Sequence, residues 1–542
     1  MDYWGELSDY HLAHRGRFLS SSQGNSNNNR NNKLKRNTKQ VNNTSRLAGR
    51  TLASGMMAGI TSPARPWFKL AAADPGISDD ADVRDWLHQV EVLMYRVYSQ
   101  SNTYNSLHSL YAELGVFGTG SMGVFKDFEN VIRCKTYTVG SYMIAINGLD
   151  LVDTHYREYQ NTVGQLVKEF GIDKVSHAVK KQWEDGNTEV WIDVVHAVEP
   201  NDDRDSISPL AKDKLFRSVY YEKSKGINTE EKFLRESGFD EFPILTPRWD
   251  IAGEEVYSSD CPGMMALGDT KSLQLSEKRK AQAIDKVGAP ALIGSSTLKS
   301  KTGGQAPAPN EIIYGDKSDD TMGSIYGNYR PDIGAIKLSI SDDEIRIKRA
   351  FYEDLFLMMA NSDRRQITAR EVAEKQEEKL LMLGPVLERL HSELLDPLID
   401  RTFNILQAAG VLPIPPPSLQ GKPLNVEYVS VLAQAQRMVG VSSIERTVGF
   451  VGQLATIWPE ARHKINPSQA VDEYTEAMGV SPGMIRSDRE AAELSQAEAQ
   501  AAAQAQAGDQ GQQMADTAKT VSETSLDESN ALGTLLRNAG LQ

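Results

Sequence analysis

The 542 residues are enough for about three or four compact units, or for one elongated subunit of several layers. Forty per cent of them are hydrophobic, which allows a large core. The formal net charge of −14 argues against a simple nucleic-acid binder with a basic domain. Two cysteines, Cys134 and Cys261, exclude a disulfide framework and favour a reducing cytoplasm. With no signal core and no apolar run near the ~18 residues of a membrane span, we expect assembly in the cytoplasm without a membrane partner.

The N-terminal segment is basic and rich in asparagine. From His11 to Arg50 there are nine Lys/Arg, nine Asn and no acid. Its centre, Ser20–Asn43, holds few apolar residues, so we predict a flexible segment over residues 1–45. Two roles stay open, a solvated tail or a DNA-facing segment in an assembly.

Ordered structure is predicted from about Arg46 onward. Apolar residues at helical spacing indicate a helix over Asp79–Leu114. A glycine cluster and short strand-like runs follow, at Val131–Val139, Tyr142–Ile146, Glu189–Val198, Lys214–Glu222 and Phe242–Asp250. This order predicts an α+β fold rather than a regular βαβ series.

Two helices around a β-like excursion come next. Asp269–Val287 is helical and ends at Gly288 and Pro290, and Ala289–Ile340 is rich in Gly, Pro, Ser and Thr. The pattern Ser341-x-x-Glu344 predicts a capping box that begins a second helix running to about Ala360. Such a layout describes a stalk with a tip and favours side-by-side packing.

A third helix is predicted from Thr368 to about Ala409, after the polar break Asn361–Ile367. Gly384–Pro385 and Asp396–Pro397 should kink or break it. Another helical region is predicted between the prolines at 413–417 and Gly479. The last segment, residues 486–542, is acidic and rich in Ala and Gln.

One motif resembles a cofactor site. Gly118-Thr-Gly-Ser-Met-Gly123 has the glycines of a nucleotide turn, and the alternative hypothesis is a cytoplasmic nucleotide-binding enzyme that uses it. A dinucleotide site needs a strand before the glycines and a helix after them, whereas here the helix comes first and a strand over Val124–Phe128 follows. A turn between helix and strand is therefore the favoured interpretation.

Other candidate ligand residues are weaker. His11 and His14 lie three apart within the basic segment, and Asp316, Asp319 and Asp320 lie in a polar loop. Gly294–Thr302 lacks the spacing of a phosphate loop, and the common metal and nucleophile motifs do not occur. We therefore predict no catalytic residue, metal or cofactor.

Four blocks carry a resemblance to a known family. Leu52–Phe68 looks like the N-terminal signature of podovirus head-to-tail connector proteins, and Leu114–Gly123, Arg365–Val372 and Leu383–Leu390 are similar to further blocks of that family. The blocks stand in order and, with the continuation of the last one to Ile405, cover roughly residues 46–407. The chain thus resembles a bacteriophage portal protein, found at the portal vertex of the virion.

That resemblance implies a ring, normally of twelve subunits, through which double-stranded DNA is packaged and ejected. It implies contacts with the terminase large subunit, tail adaptor proteins, and the major capsid and scaffolding proteins. The implied regions are an N-terminal segment (1–45), wing (46–268), first stem helix (269–288), clip (289–340), second stem helix (341–360), channel loop (361–367), long wing helix (368–410), crown (411–485) and C-terminal tail (486–542).

The resemblance also implies two sets of site residues. Arg364, Arg365 and Gln366 would face the DNA channel, because the matching family segment lines it. The same arginines could instead form a solvated corner or pair with acids of the next subunit. The clip would dock the motor and the adaptors, with Lys299, Lys301, Asp316 and Lys317 as candidates.

Overall fold

The computed structural model describes residues 2–13, 40–72, 81–205, 207–208, 210–223, 233–288, 292–294, 312–314, 323–324, 332–361, 383–419, 421, 424–429, 447–454, 458, 464, 469–471 and 474. The chain divides into two compact units, Met1–Val439 and Gly440–Gln542. In the second unit the longest described element is a helix over residues 447–454. The first unit holds every strand that the structure describes.

The helical layer of the first unit consists of α1 (Asp2–Tyr10), α2 (Thr44–Gly59), α3 (Ala81–Gln100) and α4 (Thr103–Phe117). The single helix predicted over Asp79–Leu114 is wrong in one respect, because the chain turns at Asn102 between α3 and α4. The Asn102 side chain accepts from the backbone N–H of Cys134 at 2.9 Å and donates to its carbonyl at 2.7 Å. A bond to a distant strand thus ends one helix and starts the next.

Helix α1 corrects the prediction of a flexible segment over residues 1–45. Leu7 is fully buried, and Trp4 meets Tyr257 edge to face with 5.1 Å between ring centroids. These apolar residues precede the basic stretch in the chain, and their contacts hold α1 against the rest of the fold. Most of Ser20–Asn43 lies outside the described residues.

The strands are β1 (Phe68–Ala72), β2 (Ser121–Asp127), β3 (Val131–Tyr137), β4 (Tyr142–Ile146), β5 (Val152–Thr162), β6 (Trp191–Pro200), β7 (Phe216–Glu222), β8 (Arg235–Phe239), β9 (Ile244–Leu245), β10 (Leu292–Gly294), β11 (Ile312–Tyr314), β12 (Gly323–Ser324) and β13 (Leu424–Tyr428). Strands β4 to β8 form a five-stranded antiparallel sheet in sequence order, and β2 pairs with β3 and β9. Strand β1 pairs with β13. The mixture of helix and antiparallel sheet confirms the α+β class.

Helices α5 (Val163–Phe170) and α6 (His177–Glu184) lie between β5 and β6 in the chain. They pack on one face of the five-stranded sheet and form a small hydrophobic core with Val194 and Leu234. A larger core joins the helical layer to β1–β4 and β9 and includes Trp67, Tyr98 and Phe117. We call α2–α6 with β2–β9 the body.

Two long helices follow the body, α7 (Pro262–Gly288) and α8 (Ile333–Ala350). Between them in the chain, β10 pairs parallel with β11 and antiparallel with β12. We call α7, α8 and this small sheet the stalk. The capping box predicted at Ser341 is wrong, because α8 begins earlier: the carboxylate of Asp332 accepts from the N–H of Ala335 at 3.0 Å and caps the helix. Ser341 lies inside α8.

The chain then continues through α9 (Glu353–Asn361), α10 (residues 383–390), a π-helical turn (His391–Leu395) and α11 (Asp396–Ala408). The predicted irregularity at Asp396–Pro397 is confirmed, since Pro397 has no N–H to donate to the preceding turn. The helical region predicted after the prolines at 413–417 begins instead with strand β13. The predicted strand Phe242–Asp250 shortens to β9, followed by two isolated bridges, Arg248 with Thr119 and Asp250 with Asp260.

Candidate functional site: the stalk and the junction of the body with the π-helical turn

The site residues predicted from the sequence lie outside the described residues. This holds for Arg364, Arg365 and Gln366 of the channel loop, and for Lys299, Lys301, Asp316 and Lys317 of the clip. What the structure does place is the stalk that leads to the clip and the contact of the body with the π-helical turn, which we call the junction.

Polar contacts hold the two stalk helices together near the middle of α8. The guanidinium of Arg346 lies 3.1 Å from the carboxylate of Asp269 on α7 and also bonds Asp343 on its own helix. The Asp343 side chain is 1% exposed, while Arg346 is more than half exposed. The helices are thus joined by an ion network at the surface, with Ile340 and Ile347 buried beside it.

The chain before α2 also binds both stalk helices. The amide nitrogen of Asn42 donates to Glu277 on α7 at 3.2 Å and to Glu344 on α8 at 3.0 Å. The buried side chain of Gln274 accepts from the backbone N–H groups of Val41 and Asn42 and donates to the Asn42 carbonyl at 2.9 Å. Asn42 therefore fixes the spacing of the two helices.

A buried ion pair lies at the junction. Arg248, 2% exposed, follows β9, and its guanidinium donates to Glu393 Oε1 at 2.7 and 3.1 Å. The Arg248 backbone N–H donates to Glu393 Oε2 at 2.8 Å, and the guanidinium also reaches the carbonyl of Asp150 at 2.8 Å. Several bonds to one carboxylate hold the charges in a fixed geometry.

The π-helical turn gives Glu393 its position and carries a second contact. His391, at the start of the turn, stacks on Tyr428 of β13 with 3.9 Å between ring centroids, and the Tyr428 hydroxyl bonds Asp396. On α11, Arg401 donates to the carbonyl of Val124 at 2.7 Å, and burial lowers the pKa of Arg401 to about 10. The turn thus links β13, Arg248 and α11.

The glycine turn at Gly118–Gly123 is filled by protein atoms. Gly118 ends α4 with φ of +78°, and a Cβ there would lie 2.7 Å from Ser258; a Cβ at Gly120 would lie 2.5 Å from Leu110. The N–H groups of Gly118 and Gly120 donate to the carbonyls of Leu114 and Pro247, both at 3.0 Å. Helix α4 comes before the glycines, as the sequence predicts, so its C-terminus and not its N-terminus adjoins them. This geometry gives no support to nucleotide binding at this turn.

Of the two histidines proposed as metal candidates, the structure describes His11. His11 is 1% exposed, bonds the Ser45 hydroxyl and packs against Phe351, and burial lowers its pKa to about 4. His14 and the aspartates at 316, 319 and 320 lie outside the described residues. Within the described ranges no three His, Cys, Asp or Glu side chains are grouped to hold a metal ion. Among those same residues no helix combines the length and apolarity of a membrane span.

Sequence patterns missed the two polar contacts that define the stalk and the junction. Neither Asn42 nor the Arg248–Glu393 pair belongs to a motif, and the partners lie more than 100 positions apart in the chain. One signal was present for the junction: Pro397 marks an irregular turn, and irregular turns often carry functional side chains.

Comparisons with known proteins identify the family to which the chain belongs. A family model described as the bacteriophage head to tail connecting protein matches residues 1–485. The portal protein of Salmonella phage epsilon15 is 45% identical over 540 residues, which are 99% of this chain and 95% of that protein. The probable portal protein of Bordetella phage BPP-1 is 42% identical over 541 residues, with the same two coverages.

These matches place the chain among the structural proteins of bacteriophage particles. It belongs to the family of bacteriophage head-to-tail connecting proteins, which are the portal proteins of the virion. The family resemblance predicted from the sequence is thereby confirmed. The alternative of a nucleotide-binding enzyme has no support from these relatives.

Proposed function

We propose that the chain forms a ring, with twelve subunits as the expected number, at one vertex of the capsid. DNA would pass through this ring during packaging and ejection. The single observation that supports ring assembly most is the apolar surface of the stalk. Six apolar side chains there are about half exposed or more: Met265, Leu275, Ile284, Val287, Leu338 and Ile345.

These residues favour side-by-side packing of stalks. Leu338 and Ile345 are seven residues apart on α8 and therefore share one side of the helix, away from the buried Ile340 and Ile347. Burying apolar surface contributes about 25 cal/mol per Å², so a neighbouring stalk would stabilise this face. An isolated subunit would leave it in water.

The regions keep the assignments that the resemblance implies. Residues 46–268 and the long helix over 368–410 would form the wing, and α7 and α8 the stem. Residues 289–340 would form the clip, 361–367 the channel loop and 411–485 the crown, with 1–45 and 486–542 as terminal segments. The small sheet β10–β12 supports a clip with strands of its own.

The clip would dock the terminase large subunit, which supplies the energy for packaging, and later the tail adaptors. Lys299, Lys301, Asp316 and Lys317 are the candidate contacts. The major capsid and scaffolding proteins would meet the ring during head assembly. Arg364, Arg365 and Gln366 would face the channel, where guanidinium groups can contact passing phosphates without reading sequence.

Electron microscopy of the purified protein tests the ring. Class averages should show closed rings with a central hole, and light scattering should give the mass of about twelve chains of 59.9 kDa. A protein that stays monomeric at micromolar concentration, with its body folded, would overturn the proposal.

Two variants test the site residues. Replacing Arg364 and Arg365 with alanine should leave ring assembly unchanged and alter DNA retention, whereas loss of rings would assign both arginines a structural role.

Deleting residues 299–309 should leave the body folded and weaken docking of the motor, and normal packaging by that deletion would contradict the docking assignment.

A further inference from the structure

The five-stranded sheet presents opposite charges on its two sides. Successive side chains of a strand point to opposite faces. On β5, Arg157 therefore points to the face that α5 and α6 partly cover, and its neighbour Glu158 points to the other. The pairing of β5 with β6 and of β6 with β7 carries this alternation across the sheet.

Three cations gather on the first side, and we call Lys135, Arg157 and Arg235 the basic patch. The Arg157 guanidinium lies between the rings of Tyr137 and Tyr159, 4.8 and 4.3 Å from their centroids. Lys135 reaches this place from β3, and partial burial together with the charge of Arg157 lowers its pKa.

Among the described residues no carboxylate forms an ion pair with the basic patch, although the charge of Glu169 acts on Lys135 from a greater distance. Arg235 lies over the Phe170 ring at 5.0 Å and donates to the backbone carbonyl of Glu169 at 3.3 Å. Within the part of the chain that the structure describes, no Asp or Glu oxygen lies within 4.0 Å of any of the three cations. The aromatic rings hold the cations in place and leave their donors available for another anion.

The opposite side carries what we call the acidic face, Glu158, Asp193 and Glu199. Glu158 pairs with Lys223 at 2.6 Å, whereas Asp193 accepts from the neutral amide of Gln160 and Glu199 from the hydroxyl of Tyr156. On the same side Arg217, opposite Glu199, pairs with Glu236 at 2.9 Å, so that four carboxylates meet two cations and the face keeps a net negative charge. Apolar surface lies beside them, with Met143 60% and Tyr156 37% exposed.

A closed ring needs two such surfaces. Neighbours in a ring make a heterologous contact, in which two different patches of the same chain meet. In a ring of twelve the two patches must point in opposite directions to within about 30°. The two sides of one sheet meet this requirement, and their charges are complementary.

We propose that the acidic face of one copy docks on the basic patch of the next copy, with Met143 and Tyr156 in the contact. This inference rests on the ring assembly proposed above and names the surfaces that would build it. The partner is a second copy of this chain, because both halves of the contact are present on one molecule.

Reciprocal charge reversal tests the contact in the full-length protein. One variant carries Glu158→Lys and Asp193→Lys, and the other carries Lys135→Glu and Arg235→Glu; Arg157 stays, because its guanidinium is packed between two rings. Each variant alone should lower the ring fraction in light scattering and electron microscopy by about tenfold, since like charges would meet. A one-to-one mixture should restore rings, because each reversed surface then meets an opposite charge.

Matched controls are Asp85→Lys and Arg96→Glu, both exposed on α3 and outside the two surfaces. They should assemble as the unchanged protein does. Rings formed by either reversed variant alone would overturn the inference about this contact, and so would a mixture of folded variants that forms no rings. Neither result would contradict the ring proposal itself. An unchanged protein that never forms rings would overturn the ring proposal itself and, with it, this contact.

Discussion

The body and the stalk are stabilised in different ways. The largest fully buried side chains of the body, among them Tyr98, Tyr111 and Phe117, lie in one continuous core. In the stalk, α7 and α8 are joined by an ion network and by Asn42, while Leu338 and Ile345 stay exposed. The stalk shares this core through Leu273, Ile340 and Ile347, but its other side is completed only by whatever covers the exposed apolar residues. A packing change should unfold the body, and a polar change should only loosen the stalk.

The largest expected effect is at the buried junction. Arg248→Ala should lower the free energy of unfolding by about 3–5 kcal/mol, because it leaves Glu393 as an uncompensated charge at a site that is almost closed to water. Urea unfolding followed by tryptophan fluorescence measures this. The matched stalk variant Lys271→Ala removes the exposed pair between α7 and Glu6 of α1 and should change the unfolding midpoint little. Equal effects of the two variants would contradict the comparison.

Two glycines of α7 give the next contrast. A Cβ at Gly263 would lie 2.5 Å from the Val116 carbonyl oxygen and 2.7 Å from its Cα, so Gly263→Ala should cost about 1–3 kcal/mol where the helix meets the body. A Cβ at Gly268, five residues on, meets nothing within 4 Å, and Gly268→Ala should add about 0.5–1 kcal/mol. Thermal unfolding distinguishes the loss of stability expected for Gly263→Ala from the gain expected for Gly268→Ala. A stabilising Gly263→Ala would show that the backbone contact relaxes freely.

Acid should act on the body rather than on the stalk. Burial lowers the pKa of His155 and of His196 to about 3, against about 6.5 in an unfolded chain, and the stalk helices contain no histidine. The unfolded state then binds more protons, so stability is full above about pH 6.5 and falls as pH drops towards 3. The urea midpoint should decrease between pH 7.5 and 5. His196→Gln should make this decrease of the urea midpoint smaller, whereas the exposed control His88→Gln should leave it as it is. The same decrease in His196→Gln as in the unchanged protein would argue against buried histidine as its cause.

The smallest effect is expected at Asn42. Asn42→Ala removes the bonds to Glu277 and Glu344, which are partly exposed, so we expect about 0.5–1.5 kcal/mol and little change in the unfolding midpoint of the body. Hydrogen exchange should become faster in α7 and α8 around these glutamates. Asn42→Asp should act more strongly, because it places a third carboxylate between them. Faster exchange in β5 or β6 would show that the stalk and the body are coupled more closely than their contacts indicate.

Local patterns predicted much of the body. Strand β4 has the bounds expected from its sequence, and β3 and β7 differ from theirs by two residues at one end. Alternating apolar and polar residues bounded by turn residues are enough to predict these strands, because each strand pairs with a near neighbour in the chain. The order helix, glycine turn, strand at Gly118 was also predictable.

Long-range contacts explain most of the failures. The turn at Asn102 depends on Cys134, and β13 depends on β1, so neither has a complete signal in its own segment. The start of α8 was misplaced because Ser341-x-x-Glu344 fits a capping box equally well inside a helix, while Asp332 nine residues earlier was overlooked. Junction residues such as Arg248 come together only in the fold.

The pairing of β1 with β13 has a consequence for how the subunit is made. Phe68 lies opposite Tyr428, so most of the chain separates the two halves of this ribbon. During synthesis on the ribosome, β1 has no strand to pair with until β13, which follows the prolines at 413–417, has emerged. Closing so large a loop late makes this ribbon one of the last parts of the first unit to form, and a chain truncated before residue 424 should leave Trp67 and Phe68 poorly protected and prone to aggregate.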